Sequence, residues 1–119
     1  MNLLIIIFLI LCIVLIIYFV LDQKEHFYIS NSKINGQGLF VDQDIPKESI
    51  LFEAINENKK VTHLGSKVNH CNNSNTALVE INNRWFLIST KDLKKNNELT
   101  ANYNHTPYFI KKPDPLWTC

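Results

Sequence analysis

The run VNHCNNSN, residues 68–75, decides how the rest of the chain is interpreted. It contains an Asn-His pair, a cysteine and three further asparagines, and it stands directly before the apolar run TALVEI. Asparagine and histidine are poor helix and strand formers, so this run is predicted to be an irregular loop before a strand. Such a loop could bind a ligand, or it could be a simple turn.

Far upstream of this loop, residues 3–21 form an unbroken apolar segment, LLIIIFLILCIVLIIYFVL. At about 1.5 Å per residue it would span roughly 28 Å as a helix, close to the ~30 Å hydrocarbon layer of a bilayer. A cleaved signal peptide is the alternative, but it needs a basic start, a shorter apolar run and small residues at the cleavage site. We therefore predict a retained transmembrane helix over 1–21, a linker over 22–26 and one domain over 27–119.

The charges beside this segment predict its orientation. Lys24 and Lys33 both lie on its C-terminal side, which favours a cytosolic location for the domain, with the membrane as a partner through residues 3–21. The whole chain carries a formal net charge of only +1 and has no Lys/Arg cluster. Proteins that bind nucleic acids neutralise phosphates with basic patches, so direct nucleic-acid binding is not expected.

The domain is predicted to be mainly β. Short apolar runs at roughly ten-residue spacing predict strands, and no long 3.6-residue period predicts a further helix. Asn82 and Asn83 separate two of these runs, and an Asn pair tolerates the positive φ of a tight hairpin. Several short strands of this kind predict small sheets packed on each other. The predicted strand runs are 27–33, 38–43, 49–55, 75–81, 84–90 and 99–103.

Four motifs together resemble the SET domain family, to which most protein-lysine methyltransferases belong. In chain order they are NGQGLFV at 35–41, QDIPKESILFE at 43–53, VNHCNNSN at 68–75 and KDLKKNNELTANY at 91–103. Ser74 replaces the proline of the family's loop, Asn75 is kept, and Asn97 is taken to stand at a glycine of the tail. The resemblance implies a SET-like fold with a C-terminal pseudoknot, in which the tail passes beneath an earlier loop, although chains rarely thread loops.

The resemblance also implies a function and its residues. The implied reaction is transfer of a methyl group from S-adenosylmethionine to a lysine of a protein substrate. Tyr103 matches the family's catalytic tyrosine, and Trp117 stands where some members cover the adenine with an aromatic ring. The other implied cofactor-binding residues are Asn35, Gln37 and Gly38 of the glycine-containing motif, with the Asn69–His70 pair.

Each of these residues also has a simpler interpretation. Gly36 and Gly38 would suit an ordinary turn, and Tyr103 could be a packed strand tyrosine with its hydroxyl at the surface. Three cysteines give no disulfide framework, although Cys71 and Cys119 could pair. Cys71 and Cys119 cannot supply four zinc ligands, so no metal is predicted, and Cys71 is interpreted as a small buried residue.

One departure from the family leaves the function open. Only sixteen residues, 53–68, separate Phe52 from Asn69, where the family has a longer insert that builds one wall of the substrate groove. We therefore keep three hypotheses: a membrane-anchored protein-lysine methyltransferase, a catalytically inactive SET-like binding or interaction module on a membrane, and a membrane structural protein that only mimics the motifs.

Overall fold

The computed structural model describes residues 2–22, 26–116 and 119. Within them lie one α-helix, seven strands and two single-turn 3-10 helices. The α-helix α1 covers Leu3–Asp22, and the 3-10 helices cover Gly65–Lys67 and Tyr103–His105. The strands are β1 Phe27–Asn31, β2 Gln37–Val41, β3 Ile50–Ile55, β4 Asn69–His70, β5 Thr76–Ile81, β6 Arg84–Ser89 and β7 Thr100–Ala101.

The strands form three small sheets. β1 pairs with β2 in an antiparallel hairpin, and β3, β6 and β5 form an antiparallel sheet in that order. β4 pairs with β7 in parallel, although 29 residues separate the two strands along the chain (71–99). This arrangement confirms the prediction of a mainly β domain built from several small sheets.

The hairpin between β5 and β6 turns where the sequence predicts it. Asn82 and Asn83 have φ values of 51° and 63°, and the last pair of the ladder is Ile81 with Arg84. Two consecutive residues with positive φ match the right-handed twist of the strands that flank them, which makes the two-residue turn favourable. The prediction from the Asn pair is therefore confirmed.

The hydrophobic core joins the early strands to the tail of the domain. Leu39 and Val41 of β2 are fully buried with Leu99, which precedes β7, and the Leu99 amide donates to the Leu39 carbonyl at 2.7 Å. Ile45 and Leu93 exchange two backbone hydrogen bonds of 2.8 and 2.9 Å in the same core. Burying one leucine contributes about 1.5–3 kcal/mol to the stability of the folded state, so the tail stabilises the packing of the sheets.

Helix α1 exposes its apolar side chains. From residue 3 to residue 18 every side chain is exposed except that of Cys12, which is partly buried. The prediction of a transmembrane helix over 1–21 is not supported, because within 2–22, 26–116 and 119 no helix is both long and apolar enough to cross a bilayer.

Candidate functional site

The Asn-His pair and the tail meet in the parallel pair of β4 and β7. Asn69 lies opposite Thr100, His70 lies opposite Ala101, and the Cys71 amide donates to the Ala101 carbonyl at 3.0 Å. The two-residue strand β4 has no apolar pattern of its own, since it forms only because the tail supplies its hydrogen-bonding partner. Two distant motifs are thereby fixed side by side.

Asn75 holds the tail from the other end of the same loop. Its Nδ2 donates to the Glu98 carbonyl at 2.8 Å, and its Oδ1 accepts from the Thr100 amide at 2.9 Å. The next hydroxyl, Oγ1 of Thr76, donates to the Thr100 carbonyl at 2.6 Å. Both ends of the 69–76 segment therefore bond the tail strand, which is the arrangement that the implied pseudoknot requires. From the sequence alone, Asn75 is a residue of the loop motif without a predicted role.

Tyr103 lies against the Asn-His pair. Its backbone amide donates to Nδ1 of His70 at 3.0 Å, which identifies that nitrogen as an acceptor, and the two rings are 5.4 Å apart between centroids. The Tyr103 hydroxyl donates to the Val68 carbonyl. Burial raises the pKa of the Tyr103 phenol, so the hydroxyl keeps its proton and remains a donor at neutral pH.

Asn69 connects this pair to the glycine-containing motif. Its Nδ2 donates to the carbonyls of Asn35 and Gln37 at 3.1 and 3.2 Å, and to Oε2 of Glu98 at 2.9 Å. The structure therefore brings together Asn35, Gln37 and Asn69, which the resemblance assigned to one cofactor site. We call this region the polar cleft: Ser32, Asn35, Gln37, Gly38, Asn69 and Glu98.

Gly38 leaves room in the polar cleft for the close approach of the Glu98 carboxylate. A Cβ at position 38 would lie 2.4 Å from Oε2 of Glu98, which is inside any tolerated contact. Ser32 holds the same carboxylate, because its hydroxyl lies 2.8 Å from both carboxylate oxygens. Sequence reasoning missed Glu98 and Ser32. Glu98 could have been found by alternation, since it precedes the buried Leu99 and must point away from the core.

The chemistry of the polar cleft fits part of the implied cofactor. Two backbone carbonyls, of Asn35 and Gln37, converge with the Glu98 carboxylate, and such oxygens favour a cation. Nζ of Lys67 lies 3.5 Å from Oε1 of Gln37, at the edge of the cleft, where a ligand carboxylate would be favoured. S-adenosylmethionine carries an ammonium, a sulfonium and a carboxylate, so these residues suit its amino-acid end.

Tyr103 also lines a cavity of about 400 Å³ with mostly apolar walls. Val68, Leu87 and Ala101 line it from the core, and Phe109 and the residues around it line it from the C-terminal segment. The C-terminal segment thus supplies one wall of this cavity. We call this space the apolar cavity; its full lining is Ala54, Ile55, Val61, Gly65, Ser66, Val68, Leu78, Leu87, Ala101, Tyr103, Thr106, Phe109, Ile110 and Lys111.

Three details of the sequence interpretation change or stay untested. The glycine-like position of the tail is Asn96, whose φ of 72° is left-handed, and not Asn97. Cys71 is buried as predicted, but it also forms a disulfide with Cys119, the pairing that the sequence left open. Trp117 lies outside the described residues, so its predicted place over an adenine stays a prediction.

Comparisons with known proteins support the fold. No family model and no curated protein matches the sequence. Among solved structures, the chain is similar to the crystal structure of a "putative histone methyltransferase" from Plasmodium falciparum, with a TM-score of 0.55 and 20% identity. That likeness covers 70% of this chain and 96% of the other. With the three small sheets and the pairing of β4 with β7, it shows that the domain has a SET-like fold.

Proposed function

We propose that this protein is an S-adenosylmethionine-dependent protein-lysine methyltransferase. The observation that carries the proposal is the position of Tyr103, which bonds the Asn-His pair and lines the apolar cavity. A group transfer between two ligands needs two binding regions that meet at one point. The polar cleft and the apolar cavity are candidates for two such regions, and the β4–β7 pair contributes Asn69 to the first and Ala101 to the second.

The chain's own residues would divide the work of the reaction. S-adenosylmethionine, when bound, supplies a methyl group on a sulfonium. The carbonyls of Asn35 and Gln37 and the Glu98 carboxylate, which accept from the Asn69 amide, would bind its ammonium through their remaining lone pairs. The Tyr103 hydroxyl and the Val68 carbonyl would orient the reacting groups at the cavity wall. Desolvation in the apolar cavity would lower the pKa of an entering lysine and favour its neutral, nucleophilic form.

The experiment separates binding from chemistry. Calorimetry of the full chain in detergent with S-adenosylmethionine measures binding, and transfer of tritiated methyl groups to a lysine-rich protein mixture measures activity. We expect Tyr103→Phe to bind the cofactor with little change and to lose about 10²–10³-fold in transfer, the usual cost of one preorganised donor. Unchanged turnover in this variant would remove Tyr103 from the mechanism.

A second candidate is a SET-like binding module without catalysis. It is favoured by Asn69, whose amide group already donates to three acceptors within the chain, and by the short segment between β3 and β4. Cofactor binding without any methyl transfer would identify this module. A flat titration at about millimolar ligand, with folded protein, would exclude both candidates and leave a structural role.

We also propose that α1 attaches the domain to a membrane. Its apolar side chains between Leu3 and Tyr18 are exposed, and an exposed apolar surface of this extent marks a contact with lipid or protein. Release of the full chain from membranes by alkaline carbonate, without detergent, would contradict the attachment.

The compartment that the domain faces is a separate question. Lys24 and Lys33 favour the cytosol, whereas the Cys71–Cys119 disulfide is typical of oxidising compartments. A thiol-alkylation assay on intact cells decides between them, because a cytosolic domain would keep both cysteines reduced. The cytosolic orientation is the proposal under test: reduced cysteines in cells would support it, and a disulfide in cells, as in the structure, would reverse it.

A further inference from the structure

We propose that a cluster of three aromatic side chains beside the apolar cavity binds a methylated lysine of a peptide. The cluster consists of Trp85, Tyr108 and Phe109, and we call it the aromatic cluster. The ring centroids of Trp85 and Phe109 are 5.4 Å apart with planes at 74°, and those of Tyr108 and Phe109 are 5.4 Å apart at 87°. Edge-to-face pairs of this kind leave ring faces available to a ligand.

The aromatic cluster already holds a cation from its own chain. Nζ of Lys59 lies 5.7 Å from the ring centroid of Tyr108 and 5.8 Å from that of Phe109, and it is 3.4 Å from the Tyr108 hydroxyl. Both centroid distances are within the ~6 Å at which a ring face attracts an ammonium. The geometry therefore accepts the end of a lysine side chain that approaches two rings at once.

The turn that carries Lys59 holds that residue in an unfavourable backbone conformation. Oδ1 of Asn56 accepts from the amides of Asn58 and Lys60 at 3.0 and 3.1 Å, which closes the turn. Lys59 itself has a φ of 61°, a left-handed conformation that is unfavourable for a lysine. Because the turn presents Lys59 to the tail in this way, we interpret its side chain as an intramolecular occupant that an external ligand can replace.

The space around the aromatic cluster is large enough for such a ligand. A groove of about 570 Å³ runs past the three rings, with Glu80 at its wall, and Tyr108 is 85% exposed. A carboxylate at the wall favours a cationic ligand over a neutral one. The hydrated ammonium of Lys59 gains little at an exposed site, whereas a trimethylated ammonium has less water to lose and more surface to bury, as in aromatic cages.

A peptide is favoured over a lipid headgroup because the group now in place is itself a lysine side chain. A peptide lysine brings the same four-carbon stem and the same charge to the same two rings. Phe109 lines both this groove and the apolar cavity, but neither Asn69 nor Tyr103 lines the groove, so peptide binding there can be tested without methyl transfer.

The test uses the full chain in maltoside micelles and fluorescently labelled peptides, with binding followed by anisotropy. Three peptides differ at one side chain: trimethyllysine, unmodified lysine, and the neutral isostere in which carbon replaces the charged nitrogen. Two ring contacts should make trimethyllysine bind about tenfold more tightly than the neutral isostere. Equal binding of these two peptides would overturn the proposal.

Matched variants locate the effect. Tyr108→Leu keeps an apolar side chain but removes a ring, and we expect it to abolish the preference for trimethyllysine. Lys59→Gln removes the internal competitor and should tighten binding about threefold, whereas Lys60→Gln, one residue away on the same turn, should change nothing. Weaker binding in Lys59→Gln, or a preference for choline-headgroup vesicles over the peptide, would also overturn it.

Discussion

The polar cleft and the apolar cavity are built in opposite ways. The polar cleft is closed by the chain's own hydrogen bonds, with the Glu98 carboxylate fixed by Ser32 and Asn69 at 2.8–2.9 Å. The apolar cavity is a space of about 400 Å³ whose outer wall is the C-terminal segment around Phe109. The polar cleft is therefore a preformed set of hydrogen bonds, whereas the shape of the apolar cavity depends on how the C-terminal segment is anchored.

This difference separates two physical roles within one small domain. Directed hydrogen bonds position a polar ligand accurately, because each acceptor is fixed by a backbone or by a second side chain. Apolar packing provides volume and excludes water, but it is less specific in direction. Substitutions at the cavity wall, at the Asn75 bonds to the tail and in the polar cleft should therefore differ in size of effect, in that order from the largest.

The largest effect is expected from the disulfide that ties the end of the tail to the Asn-His loop. Cys71 and Cys119 are 48 residues apart in sequence, and a closed loop of this length stabilises the folded state by roughly 4 kcal/mol on the chain-entropy model. Cys119→Ser should therefore lower the free energy of unfolding by about this amount in urea titrations.

A matched control comes from α1. Cys12 is the free cysteine of the described residues, and Cys12→Ser should leave the unfolding midpoint unchanged. Equal midpoints for wild type and Cys119→Ser, in the absence of reductant, would mean that the disulfide does not anchor the wall of the apolar cavity.

The second effect is at the side-chain bonds between Asn75 and the tail. Asn75→Ala removes the amide that bonds the Glu98 carbonyl and the Thr100 amide, and it leaves both groups without that partner in a poorly solvated place. Each such group costs about 1–3 kcal/mol, so we expect a loss of about 3 kcal/mol in unfolding free energy. Asn72→Ala, on the exposed part of the same loop, should cost less than about 0.5 kcal/mol. Equal losses in the two variants would show that Asn75 does not hold the tail.

Much of the local structure could be predicted from the sequence. The apolar runs predicted six of the seven strands in the described residues to within a few residues, including β3 at Ile50–Ile55 and β6 at Arg84–Ser89, because each run carries its own β pattern. The turn at Asn82–Asn83 was predictable for the same reason, since its positive φ values follow from residue type.

The parts that the sequence did not predict depend on partners far along the chain. β4 is two residues long and exists only through β7, so no local pattern marks it. The bonds of Asn75 to the tail and of Ser32 to Glu98 span 25 and 66 residues. Propensity describes neighbours in sequence, whereas these contacts are set by how the sheets pack.

The third effect concerns the hydrogen bonds of the polar cleft. In Gly38→Ala the new Cβ would lie 2.4 Å from the Glu98 carboxylate, which must leave its bonds to Ser32 and Asn69. We expect about 1–2 kcal/mol lower stability and at least about tenfold weaker S-adenosylmethionine binding by calorimetry. Gly36→Ala is the control: its Cβ meets open space but its φ of +47° is unfavourable, so it should cost similar stability and keep binding. Equal S-adenosylmethionine binding by the two variants would mean that Glu98 does not contribute to binding this ligand.

The smallest effect is a pH dependence at Tyr103, where the two sides meet. Burial raises the pKa of this phenol above its value of about 10 in the unfolded chain. Below about pH 10 both states are protonated and the contribution of Tyr103 is complete; above it the unfolded chain loses the proton first, so stability falls as pH rises. Tyr103→Phe lacks this titration, and the stability gap between wild type and variant should therefore narrow from about pH 8 to about pH 11 in urea titrations at each pH. A constant gap over this range would mean that the hydroxyl titrates as freely in the folded chain as in the unfolded one, so that water reaches it in the folded chain.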